Sequence, residues 1–181
     1  MTEIASLARY SRLQRILHWL TVLAVLTTIP AGLVMVQEGL PRPLQDWLYL
    51  YHKNIGPLIL MLVLARLAAR AAWPPPPLPV SVPPMQARIA DTVHWLLYLF
   101  LLVMVISGFL RVQAGGFPME IWDPLVGGFV ARDKAVEAVA KTIHHWGRVP
   151  LMLLILAHIG AAALHGLVKR DGVFSRMWPP A

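Results

Sequence analysis

Four long runs of apolar residues dominate the chain, and between them proline, glycine and charge return. The first covers about residues 16–36, from Ile16 to Val36, and carries Pro30 and Gly32 in its outer third, where a proline inside a helix removes a backbone donor and bends the axis. The second covers about 47–68, the third about 89–112 and the fourth about 142–168. Each is long enough to cross a hydrocarbon layer as a helix, which takes roughly 20 apolar residues. The short connector QEGLPRPLQDW follows the first run. WPPPPLPVSVPP follows the second; it cannot be helical and reads as extended, semi-rigid polyproline. The third connector, 114–141, opens with AGGFPMEIWDPLVGGF, in which Phe117 and Trp122 suit a membrane interface. It closes with RDKAVEAVAK, which predicts a short amphipathic helix lying on the surface. The pattern as a whole predicts an all-α integral membrane four-helix bundle, a single domain over residues 1–181, surrounded by lipid.

Composition supports this. The chain is 57% hydrophobic and 14% charged, with a mean hydropathy of +0.62, too apolar for an ordinary soluble domain. The absence of cysteine excludes disulfides, thiolate zinc sites, iron–sulfur clusters and covalently attached haem, so any metal is held by histidine, methionine or oxygen. The formal charge of +7 does not point to nucleic acid, because the basic residues flank the apolar runs and form no stripe. They report topology instead. With both termini cytoplasmic, the inner segments hold Arg9, Arg12, Arg15, Arg66, Arg70, Arg88, Lys169, Arg170 and Arg176. The outer connectors hold the remaining Lys and Arg, offset by Glu38, Asp46, Glu120, Asp123, Asp133 and Glu137. The N-terminus lacks a small-residue cleavage site, so the first run reads as an uncleaved span.

The chemistry lies in the histidines. The fourth run, KTIHHWGRVPLMLLILAHIGAAALHGLVKR at 141–170, carries His144, His145, His158 and His165. A helix turns about 100° and rises about 1.5 Å per residue, so His144 and His158 share a face within roughly 40° and lie about 21 Å apart. His165 returns to that face, whereas His145 points about 140° away from His158. By depth, His18, His94, His158 and His165 belong to the inner half, and His52, His144 and His145 to the outer. Antiparallel neighbours bring His52 level with His144, and His18 towards His158 or His165. Ionisable side chains inside a membrane are there mainly for function, and two imidazoles in register at this separation suit two stacked haems. An iron with two axial imidazoles is six-coordinate and suited to electron transfer. His145 reads as an interfacial polar group, and His94 as a hydrogen-bonding partner of another helix.

SRLQRILHWL at 11–20, YHKNIG at 51–56, RLAAR followed by WPPPPLP at 66–79, HWLLYLFLLVMVISG at 94–108 and HHWGRVPLMLLILAHIGAAALHGLVKRDGVFSRMWP at 144–179 together resemble the bacterial cytochrome b-561 family over nearly the whole chain. The resemblance implies a di-haem, four-span cytochrome with two haem b groups, one on His18 and His158 near the inner face and one on His52 and His144 near the outer. The family has an acidic residue where this chain has His145, and helical phase favours His144 as the ligand. His165 then stands beside the inner haem as a polar residue and a quinone contact. Arg12, Arg66, Arg70, Lys53 and Arg148 are the candidate cations for haem propionates, and Arg148 also for an anionic substrate.

By the same likeness the chain is expected to pass electrons between a quinone and a second redox partner in the bacterial inner membrane. The expected reaction is superoxide oxidation coupled to ubiquinone reduction, with superoxide drawn to the outer face by Lys53, Arg148 and Arg111. A second reading is a haem-bearing anchor subunit of a hydrogenase or dehydrogenase that docks through 114–141. A third is a haem-free transporter whose histidines form a proton or metal path.

Overall fold

A computed structural model describes residues 9–178. The expectation of an uncleaved N-terminus rests partly on residues 1–8, which lie outside that range. Among the described residues the fold is all-helical. Its long helices are α1 (Arg12–Val34), α2 (Arg42–Ala72), α3 (Pro84–Ala114) and α5 (Lys134–Ala163), with a short α4 (Asp123–Val126) in the third connector. A π-helical turn, Leu164–Lys169, extends α5. All four long helices are long and apolar enough to cross a membrane. Lys134–Lys169 spans 36 residues, about 54 Å, so its ends project beyond a hydrocarbon layer of about 30 Å.

The helix starts follow from local chemistry. Ser11 and Gln14 form a reciprocal capping box at α1. Prolines occupy the first turns of α2 and α3, where their missing N–H has no helical partner to lose. Asp133 caps α5, its Oδ1 accepting the N–H of Ala135 (2.7 Å) and Val136 (3.1 Å). This corrects the expectation for RDKAVEAVAK: its helical part is no separate surface helix but the first two turns of α5. Nothing between Lys134 and Trp146 breaks a helix, so once capped the chain runs on unbroken. Pro30, Pro57 and Pro150 sit inside helices, as bundled membrane helices allow.

The helices pack in sequence, α1 on α2, α2 on α3 and α3 on α5, while α5 forms no comparable interface with α1 or α2. At mid-depth the bundle closes through Ala24, Val25, Ile59, Val63, Leu101 and Leu151. Outward-facing residues are large and apolar: Leu23 is 63%, Leu153 63% and Leu156 66% exposed. A surface of that kind needs lipid around it.

Both ends of the described chain lie at one end of the bundle, here called proximal. The Gln14 side chain donates to the carbonyls of Trp73 (2.8 Å) and Ala69 (3.4 Å), tying the start of α1 to the end of α2. The tail folds back over the same end. Arg176 is buried, donates to the Pro76 carbonyl and lies over the Tyr10 ring. Trp19 Nε1 donates to the Met177 carbonyl (3.0 Å), and the Tyr10 N–H to that of Arg176 (3.3 Å).

Gln14→Ala leaves the terminal carbonyls of α2 without this donor and is expected to cost about 1–3 kcal/mol. Thermal unfolding in detergent checks this, and an unchanged midpoint would refute the role given to Gln14.

Candidate functional site

Opposite sides of the gap between α5 and the α1–α2 hairpin carry four of the histidines, His18 and His52 on one side and His144 and His158 on the other. At the distal end, His52 on α2 and His144 on α5 face each other with ring centroids 6.1 Å apart and planes nearly perpendicular, at 89°. His52 Nδ1–H donates to the Thr28 carbonyl (3.0 Å), and His144 Nδ1–H to the Met104 carbonyl (2.9 Å), with Ser107 Oγ also within 3.2 Å of the latter ring nitrogen. Carbonyls only accept, so both rings carry their proton on Nδ1 and keep a lone pair on Nε2. Such an outer hydrogen bond is what sets a metal-binding imidazole in its tautomer and orientation. Gly32 and Gly108 make the room. A Cβ on Gly32 would stand 2.5 Å from the His52 ring, and one on Gly108 3.0 Å from the His144 ring. A cavity of about 920 Å³, at the upper end of the range for cofactor-sized sites, is lined by both histidines, both glycines, Arg111 and Arg148.

At the proximal end, His18 on α1 and His158 on α5 stand 6.3 Å apart, ring to ring, at 72°. His94 on α3 approaches His158 more closely, at 5.2 Å. Here the hydrogen bonding differs. Arg66 can only donate, and its Nη2 lies 3.2 Å from His18 Nδ1, so that nitrogen accepts. Coordination through Nε2 needs the proton on Nδ1, and Arg66 must then turn to another acceptor. Ile59 lies midway between His52 and Arg66 along α2, and Leu151 midway between His144 and His158 along α5. The apolar layer therefore separates the two histidine pairs.

The remaining predicted residues are dispersed. His165 is not in the distal or proximal pair: it binds Asp171 (Nδ1 to Oδ2, 2.5 Å) within the turn that ends α5. His145 is exposed and His144 half-buried. Arg70 is paired with Asp91 (2.9 Å) over the Trp95 ring. Lys53 is paired with Glu120 (2.7 Å) and also donates to the Pro118 carbonyl (2.7 Å). Arg12 is exposed at the start of α1, and Arg148 is half-buried against the distal cavity. Arg66, also over the Tyr98 ring, is the cation beside the proximal pair.

Two imidazoles bound on opposite sides of one metal, each at about 2 Å, have ring centroids roughly 6 Å apart. Both pairs show that separation. Among the described residues no three His, Cys, Asp or Glu side chains are grouped to hold a bare metal ion. Paired imidazoles without further ligands suit a metal that brings its own equatorial donors. The model of the prokaryotic cytochrome b561 family matches residues 9–180.

The chain belongs to that family. It is 28% identical to cytochrome b561 homolog 1 of Escherichia coli (strain K12) over 174 residues, which cover 94% of this chain and 97% of that protein. It is 30% identical to cytochrome b561 homolog 2 of the same organism, covering 93% and 90%. It is 27% identical to a probable superoxide oxidase CybB of Yersinia pestis, covering 94% and 96%. As a cytochrome b561 it is a multi-pass membrane protein of electron transfer, and the family implies b-type haem. The distal pair fits such a group in spacing, tautomer and cavity. The proximal pair fits in spacing, subject to the rearrangement of Arg66.

Sequence reasoning missed the residues that support the histidines. Gly32 and Gly108 left a signal, since a glycine within an apolar helix asks for a packing reason. Thr28 and Met104 left none, because they act through backbone carbonyls. Glu120 also escaped. Burial raises its pKa, but hydrogen bonds from Lys53 and Asn54, together with the Lys53 charge, outweigh this and hold the carboxyl below its ordinary value.

Gly32→Ala is expected to displace the His52 ring and to lower haem content by about half in a pyridine haemochrome assay, whereas Gly160→Ala, whose Cβ would meet nothing within 4 Å, leaves it unchanged. Equal haem content in the two variants would remove Gly32 from the site.

Proposed function

We propose that this cytochrome carries two b-type haems, a proximal one on His18 and His158 and a distal one on His52 and His144. In this reading the proximal end, with both termini, is cytoplasmic, and the protein lies in the bacterial inner membrane as one domain. It passes electrons from a donor at the outer face to a quinone, and the donor is superoxide. Two superoxide anions give up two electrons and leave as dioxygen, and the quinone takes those electrons with two protons to become the quinol. The observation that carries the reading is the pairing of histidines at about 6 Å on both sides of an apolar layer. The Yersinia pestis relative, a probable superoxide oxidase, supports the choice of donor.

Bound haem supplies reversible one-electron chemistry. The chain's own groups set its conditions. Thr28 and Met104 orient the distal imidazoles, and Gly32 and Gly108 admit them. Ile59, Val63, Leu101 and Leu151 keep water out of the middle of the bundle. Arg66 at the proximal pair and Arg148 at the distal cavity are placed to meet propionates, with Arg12 exposed further out and Arg70 already paired with Asp91. Arg111 and Arg148 line the distal cavity and favour an anionic donor there. His165, oriented by Asp171, is the proximal candidate for a quinone contact.

A second reading, a haem-bearing anchor subunit of a hydrogenase or dehydrogenase, has one observation in its favour. Leu125 and Phe129 of the third connector are 78% and 81% exposed. A partner that co-purifies with the chain would favour it, and turnover by the isolated chain would count against it.

In stopped-flow measurements the purified protein is expected to be reduced by superoxide and reoxidised by added quinone. No Soret band, or no reduction by superoxide, would sink the donor assignment or the whole reading. His158→Ala should lose about half the haem and keep the distal half, and His145→Ala should lose none. Loss of the distal haem from the latter variant would reassign the ligand.

A further inference from the structure

His52 is followed on α2 by Lys53 and Asn54, and both side chains are engaged by one short stretch of the third connector. Lys53 Nζ donates to Glu120 Oε1 and to the Pro118 carbonyl, each at 2.7 Å. Asn54 Nδ2 donates to Glu120 Oε2 (2.8 Å), while Asn54 Oδ1 accepts the Ile121 N–H (3.1 Å). Pro57 has no N–H for the Lys53 carbonyl, and in the same turn the Asn54 carbonyl accepts Trp122 Nε1–H (2.7 Å). Met119, between these anchors, is 1% exposed. Residues 118–122 are thus strapped to the helix that carries His52, and Met119 and Glu120 form part of the wall of the distal cavity.

The strap also changes the charge of that cavity. Its lining carries Arg42 with Asp46 and Lys53 with Glu120, two ion pairs in which opposite charges cancel, together with Arg111, Lys141 and Arg148. The cation nearest His52 in sequence therefore offers little net attraction to an anion. Glu120 is responsible for that, and it reaches Lys53 from 67 residues away.

Resting on the cytochrome reading above, we propose that Glu120 is a specificity-determining residue of the distal site. It holds 118–122 across the cavity wall and cancels Lys53, and so sets how strongly the site favours an anionic electron donor over a cationic one. The carboxylate moderates the field of Arg111, Lys141 and Arg148, so that an anion is drawn in without being held.

Glu120→Gln keeps an acceptor for Lys53 and removes one negative charge. The probes are the radical anion of dithionite, which gives one electron and becomes sulfur dioxide, and reduced methyl viologen, a radical cation that gives one electron and becomes the dication. At low ionic strength the variant is expected to be reduced about threefold faster by the anion and about threefold slower by the cation, with both differences vanishing at high salt. A ratio of the two rates equal to that of the parent would overturn the charge role. Asn54→Ala leaves the charge unaltered and loosens the strap, and hydrogen exchange at the Ile121 amide is expected to rise at least tenfold. Unchanged exchange would overturn the strap. In a colourless preparation the cytochrome reading itself falls, and the exchange measurement alone decides the clasp.

Discussion

An imidazole inside an apolar bundle needs partners for both ring nitrogens, and the bundle supplies a protein partner for one. At the distal pair, backbone carbonyls of Thr28 and Met104 take the Nδ1 protons and leave a lone pair on the Nε2 of each of two rings 6.1 Å apart. A lone pair in hydrocarbon with no donor is costly, and in the proposed reading an iron between the two rings would satisfy both. The rest of the architecture accommodates that arrangement. The helix α5 stands off from α1 and α2, glycines replace side chains beside the rings, and apolar residues fill the layer between the two pairs.

The two pairs are not equivalent. The distal one has rings oriented by uncharged carbonyls and sits in a roomy cavity with cations on its lining. The proximal one has a guanidinium on His18 and a third imidazole, His94, close to His158. A positive charge beside a redox centre favours its reduced form, so in the proposed di-haem reading the two groups would differ in potential. The ends of the bundle differ in the same sense. The proximal end is fastened by the tail, with Arg176 buried against Tyr10 and Pro76, and the distal end by the connector strapped to Lys53 and Asn54.

Long-range pairing reshaped the expected roles of the charges. Taken by position, Lys53 beside His52 looks like an attractor for anions, and Arg70 like a cation for a propionate. Each has a carboxylate as its partner, Glu120 and Asp91 respectively. Lys53 finds its acid in the third connector and Arg70 finds one on the neighbouring helix α3.

The helices and the spacing of His144 and His158 were legible from the residues alone, because both follow from local rules. Apolar length sets a span, and a helix repeats its faces at a fixed angle. Helical phase likewise turned His144 inward and left His145 exposed. What needed the tertiary structure were relations between distant parts of the chain: the choice of His158 over His165 as the neighbour of His18, Arg66 on His18, and Glu120 on Lys53. The unbroken start of α5 also escaped, since an apolar run ends where charge appears, whereas a helix ends only where its hydrogen bonding does. Hydropathy reports which residues prefer lipid, and backbone and side-chain pairing is decided only when the helices come together.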